Sequence, residues 1–328
     1  MTDVHASRRH FLAASTALTG ALLMSRSPPG YASATPERVV NRRKPAAAAG
    51  VLWLGRDFEV TRMGFGAMRI TGDGIWGEPR DQREARAVLR RAVELGVNFI
   101  DTADAYGPDV SERLIKEALH PYERGLIIAT KGGMTRQGPN RWAPDCRPEH
   151  LRAACEASLK RLKLEAHPLY QLHAVDSKVP YADSVGELAK LQQEGKIHHV
   201  GVSNVNVEQL AQARAIVKVV SVQNRYSVAT RSSQPVLDVC ERDGIAFIPW
   251  GPLATREQQS GSGDASFTAL QALASERGWT MPQAALGWLL AKSPVMLPIP
   301  GTSKTKHLEE NVGAAKLKFS AAELQRIG

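Results

Sequence analysis

Cysteine is scarce in this chain of 328 residues, with only Cys146, Cys155 and Cys240. Their odd number, and the lack of C-x-x-C or His-rich spacing, exclude a disulfide framework or zinc site as an organising element, and no metal is expected. Aromatic residues make up 6%, and no basic stripe interleaved with them runs through the body of the chain, so nucleic acid is not an expected partner. No stretch reaches 18 uninterrupted apolar residues, which leaves no candidate for a transmembrane helix or stable membrane insertion. P-loop, H-E-x-x-H and G-x-S-x-G patterns are missing, and no G-x-G-x-x-G follows any apolar run. What remains is an ordinary globular composition, 43% hydrophobic and 23% charged, with enough chain for a large buried core.

The formal charge of +9 is unevenly placed. Residues 1–44 carry seven basic residues against Asp3 and Glu37, a net +5, which leaves +4 for the rest. Within that segment Arg8-Arg9 directly precede an apolar run from Phe11 to Met24, and Ala32-Ser33-Ala34 has the form of a cleavage site. The run is too short to cross roughly 30 Å of hydrocarbon as a helix. The order of these parts resembles a twin-arginine (Tat) export signal, with Ala13 where such signals often carry lysine. The resemblance implies a signal peptide over residues 1–34, the Tat export machinery as a partner, and a periplasmic destination reached already folded. Residues 35–50, with Pro36, Pro45 and a run of alanines, are expected to be a flexible tether.

From residue 51 to 328 short apolar runs alternate with longer amphipathic segments. The runs are 63–68, 97–101, 126–131, 169–173, 200–203, 219–223, 245–250 and 296–299, short and mostly rich in Val, Ile and Leu, as buried parallel strands are. Helices are expected over 80–95, 148–162, 184–193, 207–217 and 235–242. Asp109 and Glu112 have capping-box spacing at a further helix start, and Gly195 has the place of a C-cap. Eight strand–helix repeats favour one α/β domain, a (β/α)8 TIM barrel, over an open doubly wound sheet. Leu52–Val60, with Gly55-Arg56-Asp57 at its centre, reads as an N-terminal β-hairpin able to plug the barrel.

In such a barrel chemistry sits where strands end. There the sequence places Asp101 and Tyr106, then Lys131, then His173. A tyrosine hydroxyl ordinarily titrates near 10. An ammonium beside it favours the phenolate, a carboxylate holds the lysine charged, and an imidazole opposite can orient a carbonyl oxygen. The set fits proton transfer to a carbonyl under reduction, and it lacks a reductant, so a hydride-donating cofactor is required.

These residues sit in a pattern that resembles the aldo-keto reductase superfamily from about residue 50 to the end. The matching stretches are Met63-Gly-Phe-Gly-Ala-Met68, Asp101-Thr-Ala-Asp-Ala-Tyr106-Gly107, Lys131 and Gln171-Leu172-His173. Gly201-Val-Ser-Asn204, Val222-Gln223-Asn224, Pro298-Ile-Pro-Gly-Thr-Ser303 and Glu310-Asn311 complete them. Gly74-Ile75-Trp76-Gly77, Pro79-Arg80-Asp81 and Leu119-His-Pro-Tyr122 are similar to a bacterial branch that includes pyridoxal reductases.

The resemblance implies a catalytic tetrad of Asp101, Tyr106, Lys131 and His173. Tyr106 would be the general acid, its pKa lowered by Lys131. Ser203, Asn204 and Gln223 would hold the nicotinamide carboxamide, Trp250 would stack on its ring, and Gly251, Pro252 and Leu253 would run along the pyrophosphate. Gly66, Ala67, Met68 and Asp101 would also face the cofactor, while Gly301, Thr302, Ser303, Lys306, His307, Glu310 and Asn311 would surround the adenosine end. Trp76 and Trp142, with Tyr106 and His173, would shape the substrate pocket.

Many members place basic residues where Gly301 and His307 stand. Here Ser303, Lys304 and Lys306 are the donors available to a 2′-phosphate, or are simply solvated, so NADP(H) is favoured and NAD(H) stays open. The loop Thr255–Gly263 is too short and polar for a long clamp. The expected activity is reduction of a small aldehyde or ketone by a monomer. A nucleotide-sensing regulatory subunit on the same fold is the alternative.

Overall fold

The alternation read from the sequence builds a curled parallel sheet wrapped by helices, in a computed structural model that describes residues 38–253 and 265–328. The expected export signal and the loop 255–263 lie outside these residues. In chain order the elements begin with the hairpin β1 (Val51–Leu54) and β2 (Phe58–Thr61), then β3 (Phe65–Gly66), α1 (Gln82–Glu94), β4 (Phe99–Asp101), α2 (Val110–Leu119) and β5 (Ile127–Gly132). A second hairpin, β6 (Met134–Gly138) and β7 (Arg141–Pro144), is followed by α3 (Pro148–Leu162), β8 (His167–Leu172), α4 (Tyr181–Gln193), β9 (Ile197–Ser203), α5 (Val207–Ile216), β10 (Val219–Arg225), α6 (Gln234–Asp243) and β11 (Ala246–Trp250). Four helices end the chain: α7 (Ala265–Arg277), α8 (Met281–Lys292), α9 (Thr305–Gly313) and α10 (Ala321–Ile327).

Local rules explain these elements. On α1, Ala85, Val88, Leu89 and Ala92 form one buried stripe at helical spacing, and the Asp81 carboxylate accepts from Glu84 N at 2.9 Å to start the helix. Gly195 takes the left-handed conformation (φ 78°) just past α4, the turn anticipated for it.

The sheet runs β11-β10-β9-β8-β5-β4-β3, every pair parallel. The eighth run, 296–299, forms no regular strand, because Pro298 and Pro300 have no N–H to donate. It still closes the circle. On one side Phe247 N donates to Val295 O (2.9 Å) and Leu297 N to Phe247 O (2.8 Å); on the other Gly64 N donates to Pro298 O (3.0 Å) and Gly66 N to Pro300 O (3.3 Å). The result is the expected (β/α)8 barrel.

β1 and β2 pair antiparallel, as the hairpin reading expected, and Leu54, Phe58 and Val60 join Phe99, Ile127, Leu169, Ala246 and Ile248 in the core inside the barrel. Every second side chain of a strand faces the interior, and above the apolar layer those positions are occupied by the buried polar residues Asp101, Lys131, Gln171 and Gln223.

Two sequence expectations are corrected, and one element was not foreseen. Residues 38–50 are packed against the barrel instead of forming a tether. Val39 N and Val40 N donate to the buried Glu59 carboxylate at 2.8 and 2.9 Å, and Ala46 and Ala49 are buried in a short 3-10 helix, 45–49. Asp109 and Glu112 form no capping box: Asp109 is left-handed (φ 67°) and makes no side-chain cap. The Glu112 carboxylate turns inward to Thr130 Oγ1 (2.5 Å), Ser158 Oγ (3.1 Å) and the Arg161 guanidinium, three bonds that outweigh one cap. The hairpin β6–β7, largely polar and partly exposed, carried no sequence signal.

Candidate active site

Four strand ends meet at the C-terminal mouth of the barrel, and they bring together side chains separated by up to 122 residues in sequence. Lys131, fully buried, donates from Nζ to Asp101 Oδ1 at 2.6 Å, to the Thr102 carbonyl at 2.8 Å and to Tyr106 Oη at 3.2 Å. The lysine therefore spends no proton of the tyrosine, and the Tyr106 O–H stays available to another acceptor. Asp101 Oδ2 accepts from Gln223 Nε2 (2.7 Å) and Gln171 Nε2 (3.2 Å), and Gln171 Oε1 accepts from Ser221 Oγ at 3.2 Å. One carboxylate is thus fixed from β5, β8 and β10.

Gln171 and Ser221 were not singled out as site residues. Their signal was parity: each lies two residues before a recognised site residue, His173 or Gln223, and so points into the barrel one layer below it. Gly201 completes that layer. A Cβ there would sit 2.2 Å from Ser221 Oγ and 2.9 Å from Gln171 Cγ, so only glycine leaves room for the pair.

Burial decides the protonation states. It raises the Tyr106 pKa, with the Lys131 charge opposing and the Asp101 charge reinforcing. The expected lowering by Lys131 is present but is outweighed, because the phenolate loses more from desolvation than it gains from the ammonium. Burial alone pulls Lys131 down, but Asp101 and Tyr106 more than compensate and leave its pKa raised. Burial, then the Lys131 charge, pushes His173 well below the ordinary imidazole value. The mouth holds a neutral phenol, an ammonium and a neutral imidazole.

Three rings wall the space above. Tyr106, His173 and Trp142 meet edge to face with centroids 5.8 to 6.2 Å apart. Trp76 stands at the rim, 37% exposed. Arg136, on the unanticipated hairpin, stacks on Trp142 at 3.7 Å and donates to the carbonyls of Gly74, Ile75 and Ala105 at 2.7 to 3.0 Å. It ties both tryptophan-bearing loops to the loop of Tyr106. His173 Nδ1 is buried with no partner among the described residues, a polar atom ready for a ligand.

The residues expected to hold a cofactor line the same mouth and one flank of it. Ser203 Oγ donates to Gln223 O at 2.7 Å, and Asn204, left-handed at φ 59°, donates from Nδ2 to His173 O and Ser203 Oγ, both at 3.1 Å. Asn204 Oδ1 accepts from Trp250 Nε1 at 3.0 Å, and Arg225 lies over the indole at 5.6 Å, so Trp250 presents a fixed ring beside the mouth. Gly251 (φ 65°), Pro252 and Leu253 leave β11 directly after it. Across the closure Gly66 and Gly301 meet backbone to backbone with no space for side chains, and beside that contact Met68, Gly301, Thr302 and Ser303 line a cavity. On α9, Lys306 and His307 are exposed, Glu310 is half-buried and Asn311 is buried. A long dinucleotide fits this set: a flat ring at one end, bare backbone in the middle and cationic side chains at the other.

A barrel mouth that sets a phenol against a buried lysine–carboxylate pair has chemistry suited to an oxidoreductase. The sequence agrees, since the aldo/keto reductase family matches residues 62–328, and the chain belongs to that family. It is 51% identical over 282 residues to an uncharacterized oxidoreductase of Schizosaccharomyces pombe, covering 86% of this chain and 90% of that one. It is 40% identical over 279 residues to the pyridoxine 4-dehydrogenase of Escherichia coli K12, covering 82% and 94%. Among solved structures, an aldo/keto reductase from Klebsiella pneumoniae in complex with NADP and acetate superimposes with a TM-score of 0.69 at 25% identity, covering 84% of this chain and 93% of that one.

Proposed function

We propose that the protein reduces an aldehyde or ketone to an alcohol with NADP(H), Tyr106 serving as the general acid. The observation that carries this reading is the placement of Lys131 Nζ between Asp101 Oδ1 at 2.6 Å and Tyr106 Oη at 3.2 Å at the open end of the barrel. NADPH, when bound, supplies the hydride that the carbonyl carbon receives. Tyr106 gives its proton to the carbonyl oxygen as negative charge develops there, and the Lys131 ammonium stabilises the phenolate left behind. Asp101 holds that ammonium in place, and neutral His173 orients the carbonyl. Trp250, Ser203, Asn204 and Gln223 would hold the nicotinamide, with the adenosine end at residues 301–303. In the reverse direction the same groups accept the proton of an alcohol.

Support for the cofactor comes from the relative solved with NADP, and the pyridoxine dehydrogenase relative puts pyridoxal first among candidate substrates. The test is NADPH oxidation by the purified protein against pyridoxal, aryl aldehydes, small dicarbonyls and sugars. We expect turnover of at least one carbonyl with stoichiometric alcohol formation. NADPH binding without turnover of any of them would sink the reading.

We propose further that residues 1–34 send the folded protein through the Tat route to the periplasm. Replacing Arg8 and Arg9 together with lysine is expected to move the protein from the periplasmic to the cytoplasmic fraction. Unchanged fractionation would remove the proposal.

A further inference from the structure

We propose that Arg69, reaching over Gly301 from the short 3-10 helix 67–70 after β3, recognises the 2′-phosphate of the dinucleotide. This rests on the reading that puts the adenosine end of NADP(H) at residues 301–303. The argument begins with what position 301 excludes. A Cβ there would lie 2.6 Å from the Gly66 carbonyl oxygen, and one on Gly66 would lie 2.6 Å from the Ile299 carbonyl oxygen. Backbone meets backbone at this closure, so no basic side chain can start from residue 301.

The space such a side chain would enter is already taken. Arg69 Cγ lies 3.4 Å from the same point, so the aliphatic stem of the arginine passes over Gly301. Arg69 is exposed, and its guanidinium has no ion pair or hydrogen bond among the described residues. It lines a cavity of about 590 Å3 together with Thr302, Ser303 and Lys304. The other arginine in that cavity, Arg80, is already paired with Asp73 at 2.6 Å. Arg69 and Lys304 are thus the uncommitted cations of that cavity, and the Ser303 hydroxyl adjoins Lys304 in sequence.

A phosphate dianion is held best by charge-assisted donors, and the guanidinium fork matches its geometry. NADH has a hydroxyl where NADPH has that phosphate, so Arg69 gives discrimination between the two and adds little to dinucleotide affinity in general.

The experiment is calorimetric titration of the wild-type protein, Arg69→Ala and Arg69→Lys with NADPH, NADH and 2′,5′-ADP. Arg69→Ala is expected to weaken NADPH and 2′,5′-ADP by about 10- to 100-fold while NADH moves less than about twofold. Arg69→Lys is expected to recover part of the loss. Unchanged NADH binding also reports that the variants are folded. Equal weakening of NADPH and NADH, or no change in either, overturns the proposal, as does a wild-type protein that binds no NADPH. A protein with the selective loss that nevertheless reduces no carbonyl would overturn the reductase reading and leave this one standing.

Discussion

Replacing Tyr106 with phenylalanine is expected to lower kcat for carbonyl reduction by about a hundred- to ten-thousand-fold, the range that one positioned acid contributes. The NADPH dissociation constant is expected to stay within about twofold. The variant removes one oxygen whose only protein partner among the described residues is Lys131, and the ring contacts with His173 and Trp142 survive. Loss on kcat without loss of binding is the signature of an interaction made in the transition state. The direction of the Tyr106 pKa adds a second readout. The acid form is the active one for reduction, and burial raises its pKa above the ordinary value of 10. Single-turnover rates at saturating cofactor should therefore stay flat through neutral pH and decline only as pH rises past that ordinary value. A decline already complete at pH 8 would mean that another group gives the proton.

Lys131→Met is expected to have an effect as large on rate and a second one on stability. Without the ammonium the phenolate loses the charge that stabilises it, so the Tyr106 pKa rises further and proton donation weakens. The same change leaves the Asp101 carboxylate buried at 1% exposure with only the two glutamine amides. Breaking a buried pair from one side costs about 3–5 kcal/mol. Urea melts of Lys131→Met should show that loss, and a double variant that adds Asp101→Asn should regain much of it while remaining inactive. If the single variant melts like the wild-type protein, the pair contributes nothing to holding the mouth together.

The barrel and its four strand-end groups were legible because they depend on short-range regularities: apolar runs of strand length, and polar residues where those runs stop. What escaped depended on partners distant in sequence. Glu112 has the spacing of a cap, and the arrival of Thr130 from β5 with Ser158 and Arg161 from α3 turns it inward. The alanines of 45–49 have tether composition, yet they fit beside Leu95 where Ala46 N finds a carbonyl at 2.9 Å. Arg136 carried no sequence signal, because its partners come together only when its hairpin folds over the mouth. The direction of the Tyr106 pKa shift was misread for the same reason, since Lys131 was visible in the sequence and the depth of burial was not.

Pro298 and Pro300 make the circumference of the barrel uneven. Seven staves are joined by regular ladders, whereas the last joint rests on four main-chain bonds to its two neighbours. On its other side β3 pairs with β4 over only two residues, so this part of the hoop is thinly bonded, and thinly bonded regions open at low cost. The cavity lined by Met68 on one side and by Gly301, Thr302 and Ser303 on the other lies along that joint, so any ligand spanning it fastens the two ends of the sheet to each other. Binding there ties the hoop across its closure, and some of the interaction energy shows up as resistance to unfolding, linking occupancy of the cavity to the lifetime of the fold.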